Sequence, residues 1–420
     1  MKPTMKFTPQ LSSIFAAFLL VGLFSGCGYF DPPPPPPPVK NFQVAAFYVP
    51  HTEADWGRLS ATTSAFVGHM QPKQALWDHK LEWHVKSLRH AAIKSLAHLQ
   101  GAGVDALVIH TYHFNDGPFR SGALDIYLDR LNSAHPLDVA IFWDNRDHSE
   151  KGSGVVNSDT FKAITARFVD QFKKRSYWKV GNRPFLAIAD LENFVAGFDG
   201  DIEKAAGGLE RLRNKTILSG FDNAYIVGYS NGLTADRADV LVDALGLDAI
   251  STYTWADDIA LPDFPATAYE KAHEIYLKAI AEGGGTNLLT RPANRFKARY
   301  IPCVIMGYDP APLTDPSIDW ESQRGYPYGP YLNAHSPSKF TQVLKQAKEA
   351  ASQTEEKIIL INAWNDWRNG SYLEPEEMFE TGFLDAVRHV FVDLEGLDIR
   401  AWIKYRTDVK YDRLNIKEED

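Results

Sequence analysis

The sequence predicts an α/β protein built as a single (β/α)8 TIM-type barrel, preceded by a signal peptide and a polyproline linker. Three observations support this prediction. Short apolar runs recur eight times between residues 42 and 405, longer amphipathic segments lie between them, and an apolar and then proline-rich leader precedes the first run. Continuous hydrophobic strands that alternate with helices are typical of a parallel sheet covered by helices, and eight such units suffice for a closed barrel.

Residues 1–26 are predicted to be a lipoprotein signal peptide. Two lysines precede the apolar run Ile14–Phe24, and Ser25 and Gly26 lead directly into Cys27. This is the order of an export signal, and the run is too short for a comfortable transmembrane helix. Because small residues before a cysteine resemble a lipobox, we expect cleavage before Cys27 and lipidation of its thiol. A signal cut elsewhere, with an incidental cysteine, is the alternative.

Residues 27–41 are predicted to form the lipidated cysteine and a linker to the barrel. The unbroken run Pro32–Pro38 should extend as a polyproline II rod of about 20 Å. We interpret it as a spacer, with a docking ligand for a partner protein as the alternative. Gly28 follows the cysteine where an aspartate would favour inner-membrane retention, so we expect a lipid-anchored protein of the cell envelope, at the outer membrane of a Gram-negative bacterium. Residues 406–420 are interpreted as a charged tail.

Composition narrows the expected partners. The formal net charge is −9 and no basic run occurs, which argues against nucleic acid as the main partner. Aromatic residues make up 12% of the chain, which suits a sugar-binding cleft as well as a large core. Cys303 lies in an apolar run and is interpreted as a buried strand residue, so no disulfide with Cys27 is expected. No glycine-rich phosphate loop with its lysine is found, and we expect a monomer without a cofactor.

The predicted strands follow the apolar, β-branched runs of the chain. They are Val44–Val49, Ala106–Tyr112, Val139–Trp143, Phe185–Ala189, Tyr225–Tyr229, Ala249–Tyr253, Ile301–Gly307 and Ile358–Asn362. Between them, Leu81–Gln100 gives the clearest helical spacing of apolar residues, and Lys339–Ser352 and Thr381–Val392 are also predicted to be helices.

Polar and aromatic residues concentrate directly after these strands. In a barrel of this type the carboxyl ends of all strands meet at one mouth, where active sites lie. The sequence therefore predicts a binding or catalytic mouth. Its candidate substrate-binding residues are Tyr48, His51, Tyr112, His113, Trp143, Asp144, Asp190, Tyr253, Trp255, Tyr308, Asn365 and Trp367, and the acids Asp366, Asp309 and Glu192 also follow strands there.

The segment after the eighth strand carries a family resemblance. Ile361-Asn-Ala-Trp-Asn-Asp-Trp-Arg-Asn-Gly-Ser-Tyr-Leu-Glu-Pro375 resembles the motif Asn-Ala-Trp-Asn-Glu-Trp-x-Glu-Gly-x-Tyr-Leu-Glu-Pro of WbsX-like proteins and of glycoside hydrolase family 99. It is also similar to the Trp-Asn-Asp motif of family 71 α-1,3-glucanases. Weaker similarities at Phe47-Tyr-Val-Pro50, Tyr112-His-Phe-Asn115 and Gly307-Tyr-Asp309 extend the resemblance over residues 42–390.

The resemblance implies chemistry on glycans. In family 99 the first glutamate of the motif deprotonates a sugar hydroxyl, and the second is the general acid and then the base. The first position is Asp366 in this chain, as in family 71. The second position is Asn369, which cannot exchange a proton as a carboxyl group does, so the family 99 mechanism is interrupted there. Asn369 and Glu374 of the motif are candidate substrate-binding residues.

Glycoside hydrolysis generally needs two carboxyl groups beside the bond that breaks. With Asp366 as one of them, the candidates for the other are Asp309, Glu192, Asp190 and Glu374. Asp309 is favoured because it directly follows the strand next to strand 8, and Glu374 is interpreted first as a residue that fixes the loop. Each acid has a structural alternative as a helix cap or an ion-pair partner.

Other interpretations of the sequence remain open. His51, His110 and His113 suggest a metal site, although hydrogen bonding or core packing is favoured because no ligand spacing typical of metals occurs. The leading functional prediction is a hydrolase that acts on an α-glucan or α-mannan with Asp366 essential. The alternatives are a non-catalytic glycan-binding lipoprotein, suggested by Asn369, and a WbsX-type glycosyltransferase.

Overall fold

The computed structural model describes residues 41–51, 95–96, 98–129, 137–255, 259–282, 300–315, 317–323, 325–376 and 378–392. The predicted signal peptide, Cys27 and the linker up to residue 40 lie outside these residues. So do residues 81–94 of the first predicted helix and the predicted tail 406–420. Those assignments and the predicted envelope location stay predictions. Within the described residues, no helix is both long and apolar enough to cross a membrane.

Eight parallel strands form the barrel, as predicted. We number them β1–β8, and they span Gln43–Tyr48, Ala106–Phe114, Asp138–Trp143, Arg183–Ile188, Tyr225–Tyr229, Ala249–Ser251, Cys303–Ile305 and Ile358–Asn362. Each prediction located its strand within a few residues at either end. The order in the sheet is β7-β8-β1-β2-β3-β4-β5-β6. The strands are almost entirely buried because helices cover their outer faces.

The barrel closes between β6 and β7. Tyr300, just before β7, forms a parallel bridge with Ile250 of β6, and the Ile301 amide donates to the Ile250 carbonyl at 3.0 Å. The Ser251 hydroxyl adds a bond of 2.8 Å to the Ile301 carbonyl. These contacts make the sheet continuous, as a (β/α)8 barrel requires.

The helices are numbered α1–α8 within the described residues. They span Gly122–Asp129, Ser158–Phe172, Leu191–Ala196, Ile202–Leu218, Ala235–Ala244, Tyr269–Glu282, Pro337–Ala351 and Gly382–Phe391. The last two confirm the helices predicted over 339–352 and 381–392. Residues 95, 96 and 98–101 are also helical. Five helices begin at a side chain that accepts a backbone N–H, which satisfies a donor that the helix cannot use. These caps are Asn157, Asp190, Asp201, Thr234 and Ser336.

Short strands pair outside the order of the eight barrel strands. Gly117–Phe119 pairs with the end of β2, and Lys179–Val180 pairs with β4. Ala266–Ala268 pairs with Tyr331–Asn333. Asn365–Asp366 pairs antiparallel with Ser371–Tyr372, directly after β8. Short 3₁₀ helices span Ala311–Leu313, Trp320–Ser322 and Trp367–Asn369.

Candidate active site

A layer of rings crosses the barrel interior below its mouth. Phe47, His110, Phe142, Tyr229 and Tyr253 come from β1, β2, β3, β5 and the segment after β6. The ring centroids are 4.4 Å apart for His110 and Phe142, 4.9 Å for Phe142 and Tyr229, and 5.0 Å for Phe47 and Tyr253. Close packing of these rings fills the barrel. The layer forms the floor on which the polar residues of the mouth lie.

A cavity of about 460 Å³ opens above this floor. This volume falls in the range of small-molecule sites. The lining is mostly polar and aromatic: Val49, His110, Tyr112, Asp144, Arg146, Asp147, His148, Ser149, Asn231, Tyr253, Thr254, Tyr308, Tyr326, Asn362, Asp366, Arg368, Asn369 and Ser371.

Asp366 and Asn369 lie on one side of a tight hairpin after β8. The 3₁₀ turn Trp367–Asn369 joins its two short strands, so side chains three residues apart face the same way. Gly370 ends the turn at φ 68°, in the left-handed region that glycine adopts without strain. Gly307 allows the hairpin to approach β7, since a Cβ there would lie 2.7 Å from the Gly370 carbonyl oxygen.

Asp366 is a buried carboxyl group surrounded by hydrogen-bond donors. The Tyr253 hydroxyl donates to its Oδ2 at 2.9 Å, and the Asn369 amide donates to Oδ1 and Oδ2 at 3.1 and 2.9 Å. Burial raises the pKa of Tyr253 well above its ordinary value, and the charge of Asp366 raises that pKa further. Tyr253 is therefore a neutral donor at physiological pH, and Asp366 is held in one orientation at the cavity floor.

The rest of the motif supports this hairpin. The Asn365 side chain bonds both the amide and the carbonyl of Val49, at 2.8 and 2.9 Å, and so ties the hairpin to the end of β1. Trp367 stacks on Tyr372 with centroids 3.7 Å apart, and its indole N–H donates to Glu374 at 2.6 Å. These residues hold the hairpin in place and do not line the cavity.

A second polar cluster lines the cavity, with His110 and Asp144 buried and the Arg146 side chain 31% exposed. Arg146 donates from Nε and Nη2 to the two oxygens of Asp144, at 2.8 and 2.7 Å, and His110 Nδ1 lies 3.1 Å from Asp144 Oδ2. Burial alone would raise the pKa of Asp144, but Arg146 and His110 outweigh it and hold that pKa far below its usual range. The guanidinium also lies 5.5 Å from the centroid of the Tyr253 ring. The cluster thus reaches the ring that contacts Asp366.

This cluster fixes the tautomer of His110. Burial lowers the pKa of His110, against the opposing effect of Asp144, so its imidazole is neutral at physiological pH. Because Asp144 is ionised and only accepts, the proton of the ring belongs on Nδ1. His110 thereby presents an unprotonated Nε2 within the cavity floor.

The structure brings six of the predicted site residues together at the cavity. They are Tyr112, Asp144, Tyr253, Tyr308, Asp366 and Asn369. Four other predicted residues face the helices. Three of them, Tyr48, His113 and Trp143, lie in strands, where successive residues alternate between the two faces of the sheet. Tyr48 packs on Tyr127 of α1, His113 on Phe168 of α2, Trp143 on α2 and α3, and Trp255 on α6.

The remaining predicted residues do not line the cavity, but Asp190 and Asp309 each contact a residue that does. Asn231 donates to Asp190 Oδ2 at 2.8 Å, and the Asp309 amide donates to the Asn369 carbonyl at 2.7 Å. Asp190 caps α3, and Glu192 forms an ion pair with Arg237 at 2.6 Å. Asp309 is fully buried, and its carboxylate accepts the Ala311 amide at 3.1 Å. His51 contacts the Asn365 backbone carbonyl. None of the proposed second carboxyl groups lines the cavity, whose carboxyl groups among the described residues are Asp144, Asp147 and Asp366.

Several cavity residues were not selected from the sequence. Arg146 and Asn231 follow predicted strands, so their position was a usable signal. His110 lies inside the second predicted strand and was considered only as a metal ligand. Arg368 lies inside the motif itself. Tyr326 lies in a loop far beyond β7, where no sequence pattern marks it. Among the described residues, no three His, Cys, Asp or Glu side chains are grouped so as to hold a metal ion.

The buried His113 predicts an acid-sensitive fold. Burial, with a smaller effect of Arg167, lowers its pKa to about 4. Its unfolded pKa of about 6.5 is higher, so the unfolded chain binds a proton that the folded chain does not. Stability should therefore fall as the pH drops from about 6.5 toward 4, by about 2 kcal/mol at pH 5 for this residue. Urea unfolding of wild type and His113→Leu at pH 7.5 and pH 5 measures it, and an equal pH dependence in both would contradict the assignment.

One family of known proteins matches most of this chain. The family model described as glycosyltransferase WbsX matches residues 51–387. Two proteins named WxcX, described as uncharacterized, from Xanthomonas campestris pv. campestris strains B100 and ATCC 33913, are each 22% identical over 380 residues, which cover 82% of this chain and 49% of theirs. The chain thus spans about half the length of these relatives.

Two solved structures show the same fold at low identity. A glycoside hydrolase-like protein has a TM-score of 0.54 and 14% identity, over 87% of this chain and 98% of that one. The GH99 endo-alpha-mannosidase from Bacteroides thetaiotaomicron, in complex with Bis-Tris-propane, has a TM-score of 0.51 and 13% identity, over 88% of this chain and 98% of that one. Both support the barrel architecture.

Proposed function

Since the chain belongs to the WbsX glycosyltransferase family, we propose that it processes glycans, and that its barrel mouth cleaves a glycosidic bond of an oligo- or polysaccharide with Asp366 as an essential carboxyl group. The observation that carries this proposal is the position of Asp366, 1% exposed at the cavity floor and bonded by Tyr253 and Asn369. A carboxyl group fixed in a cavity of this kind is suited to proton transfer or to binding a sugar hydroxyl.

The lining of the cavity supports a sugar as the ligand. Tyr112, Tyr253, Tyr308 and Tyr326 supply aromatic surface, and the polar groups between them can pair with hydroxyl groups. We propose an α-mannan or α-glucan, because one structural neighbour is titled an endo-alpha-mannosidase and the motif resembles that of α-1,3-glucanases.

A panel of glycans tests the proposal. The purified protein is incubated with α-mannans and α-glucans, and released reducing ends and product lengths are followed by chromatography. We expect release from at least one member. No release from any member would contradict cleavage. A parallel incubation with nucleotide sugars covers glycosyl transfer, and donor consumption without glycan cleavage would favour transfer.

Asn369 favours a second candidate, a glycan-binding protein without turnover. Its amide occupies the position of the general acid in the motif and contacts Asp366, and it supplies no proton. Binding on a glycan array, together with no cleavage in the panel, would support this candidate. Cleavage that depends on Asp366 would exclude it.

Restoring the carboxyl group at position 369 should raise turnover. Asn369 Nδ2 lies 2.9 Å from Asp366 Oδ2, so a glutamate at position 369 would place its carboxyl group next to that of Asp366. Two such groups cannot both ionise easily, and the pKa of one rises, which keeps it protonated as a general acid. We expect kcat of Asn369→Glu to exceed that of wild type by about 100-fold. Asn369→Gln has the same length without an acid, and an equal kcat in both variants would contradict the prediction.

A further inference from the structure

Tyr326 is an exposed aromatic side chain at the rim of the cavity. Within the described part of the chain, six large hydrophobic side chains are exposed, and Tyr326, at 66%, is the one among them that lines the cavity. It belongs to residues 314–315, 317–323 and 325–330 after β7, which we call the rim loop. An exposed ring at a binding site differs from one on open surface, because a ligand in the cavity can cover it.

The rim loop has its own packed support. The Trp320 ring lies between Tyr328 and Tyr331, at centroid distances of 5.7 and 5.8 Å. Its indole N–H donates to the Gly329 carbonyl at 3.1 Å, and the Asp315 amide donates to the Tyr328 hydroxyl at 2.9 Å. These contacts join the two ends of the loop and connect it to the short strand that follows. The loop therefore presents Tyr326 in a defined position.

Tyr326 is also tied to the catalytic hairpin. Its hydroxyl donates to Asn369 Oδ1 at 3.1 Å, and the Asn369 amide donates to Asp366. The phenol oxygen is thus directed toward the cavity floor. Because Tyr326 is 66% exposed and lines the cavity, its aromatic surface is accessible to the apolar C–H face of a pyranose.

We propose that Tyr326 forms a stacking subsite for a pyranose unit next to the unit bound at Asp366, so that the ligand contains at least two linked sugars. This inference rests on the proposed function and extends it to the length of the substrate. The Asn369 side chain connects the two positions, because it is hydrogen-bonded to both Tyr326 and Asp366.

Binding as a function of ligand length tests the subsite. Calorimetry measures Kd for the mono-, di-, tri- and tetrasaccharides of whichever glycan the panel identifies. The protein carries Asp366→Asn, so that the ligand is not cleaved, either alone or together with Tyr326→Ala, Tyr326→Phe or Leu218→Ala. With Asp366→Asn alone, affinity should rise when a second or third sugar is added. Tyr326→Ala should raise Kd for the longer ligands by about fivefold to tenfold and leave Kd for the monosaccharide unchanged. Tyr326→Phe keeps the ring and should retain the increase, as should Leu218→Ala, whose side chain is 87% exposed and does not line the cavity.

The outcomes separate this inference from the function on which it rests. An increase that survives in Tyr326→Ala, or that is lost equally in Tyr326→Phe, would overturn the stacking subsite and leave the proposed function standing. Affinity that is the same for one sugar as for four would overturn it as well. No binding by wild type to any glycan of the panel would overturn both proposals.

Discussion

Asp366→Asn is expected to lower kcat on the cleaved glycan by at least about 10³-fold, with KM little changed. The amide has the shape of the carboxyl group and can still accept a hydrogen bond from the Tyr253 hydroxyl, which in the wild-type protein donates to Oδ2 at 2.9 Å. It cannot carry a charge or exchange a proton, so the loss should fall on turnover and not on binding. Initial rates over a range of glycan concentrations separate the two parameters.

Asp147→Asn is the matched control for this change. Asp147 is another carboxyl group of the same cavity, but it is exposed, and its Oδ1 accepts the Gly154 amide at 2.8 Å. We expect a much smaller loss of kcat. Similar losses in the two variants would indicate a general need for negative charge in the cavity and would contradict a specific role of Asp366.

Asp144→Ala should lower the free energy of unfolding by about 3 kcal/mol. Asp144 is 4% exposed and accepts hydrogen bonds from both Arg146 and His110. Its removal leaves a guanidinium group and a ring N–H without their acceptor in the cavity floor. Replacing one partner of a buried charge pair destabilises more than breaking an exposed pair, because the remaining charge stays poorly solvated.

Chemical denaturation measures this effect, with Asp116→Ala as the control. Asp116 forms an ion pair with Lys151 at 2.6 Å and its side chain is 65% exposed, so its loss should leave the unfolding midpoint unchanged. A midpoint of Asp144→Ala as close to wild type as that of Asp116→Ala would show that the cluster does not contribute to stability.

The barrel was predictable because its signal is repeated. Each strand is buried on both faces and is therefore a short run of apolar residues, and eight such runs with helical segments between them leave few alternatives. The end points were less certain because burial continues past the hydrogen-bonded ladder. In β6, for example, the apolar run extends to Tyr253 while the strand ends at Ser251.

The cavity residues were predictable in part. A position directly after a strand predicts that a residue lies at the barrel mouth, but it does not predict whether the side chain points into the barrel or toward the helices. Phe47 and Tyr48 are neighbours in β1, yet one points into the barrel and the other toward α1. When both faces are apolar, alternation leaves no pattern that shows which residue points inward. Trp143 and Asp144 differ in the same way, so the sequence selected one cavity residue and one helix-facing residue.

The acids predicted as the second carboxyl group lie outside the cavity lining for a different reason. Acids near strand ends also serve as helix caps and ion-pair partners, and Asp190 and Glu192 do so here. Tyr326 was missed because its place at the cavity depends on the packing of the rim loop on Trp320, a tertiary feature without a sequence period.

The proposed function requires that a glycan binds in the cavity with its reacting unit at Asp366. A crystal structure of the Asp366→Asn variant with a bound oligosaccharide tests it most directly. We predict a sugar ring above the aromatic floor, with a hydroxyl group or the glycosidic oxygen within hydrogen-bond distance of the side chain at position 366 and near the Tyr253 hydroxyl. An oligosaccharide bound elsewhere on the barrel, with this cavity empty, would contradict the account.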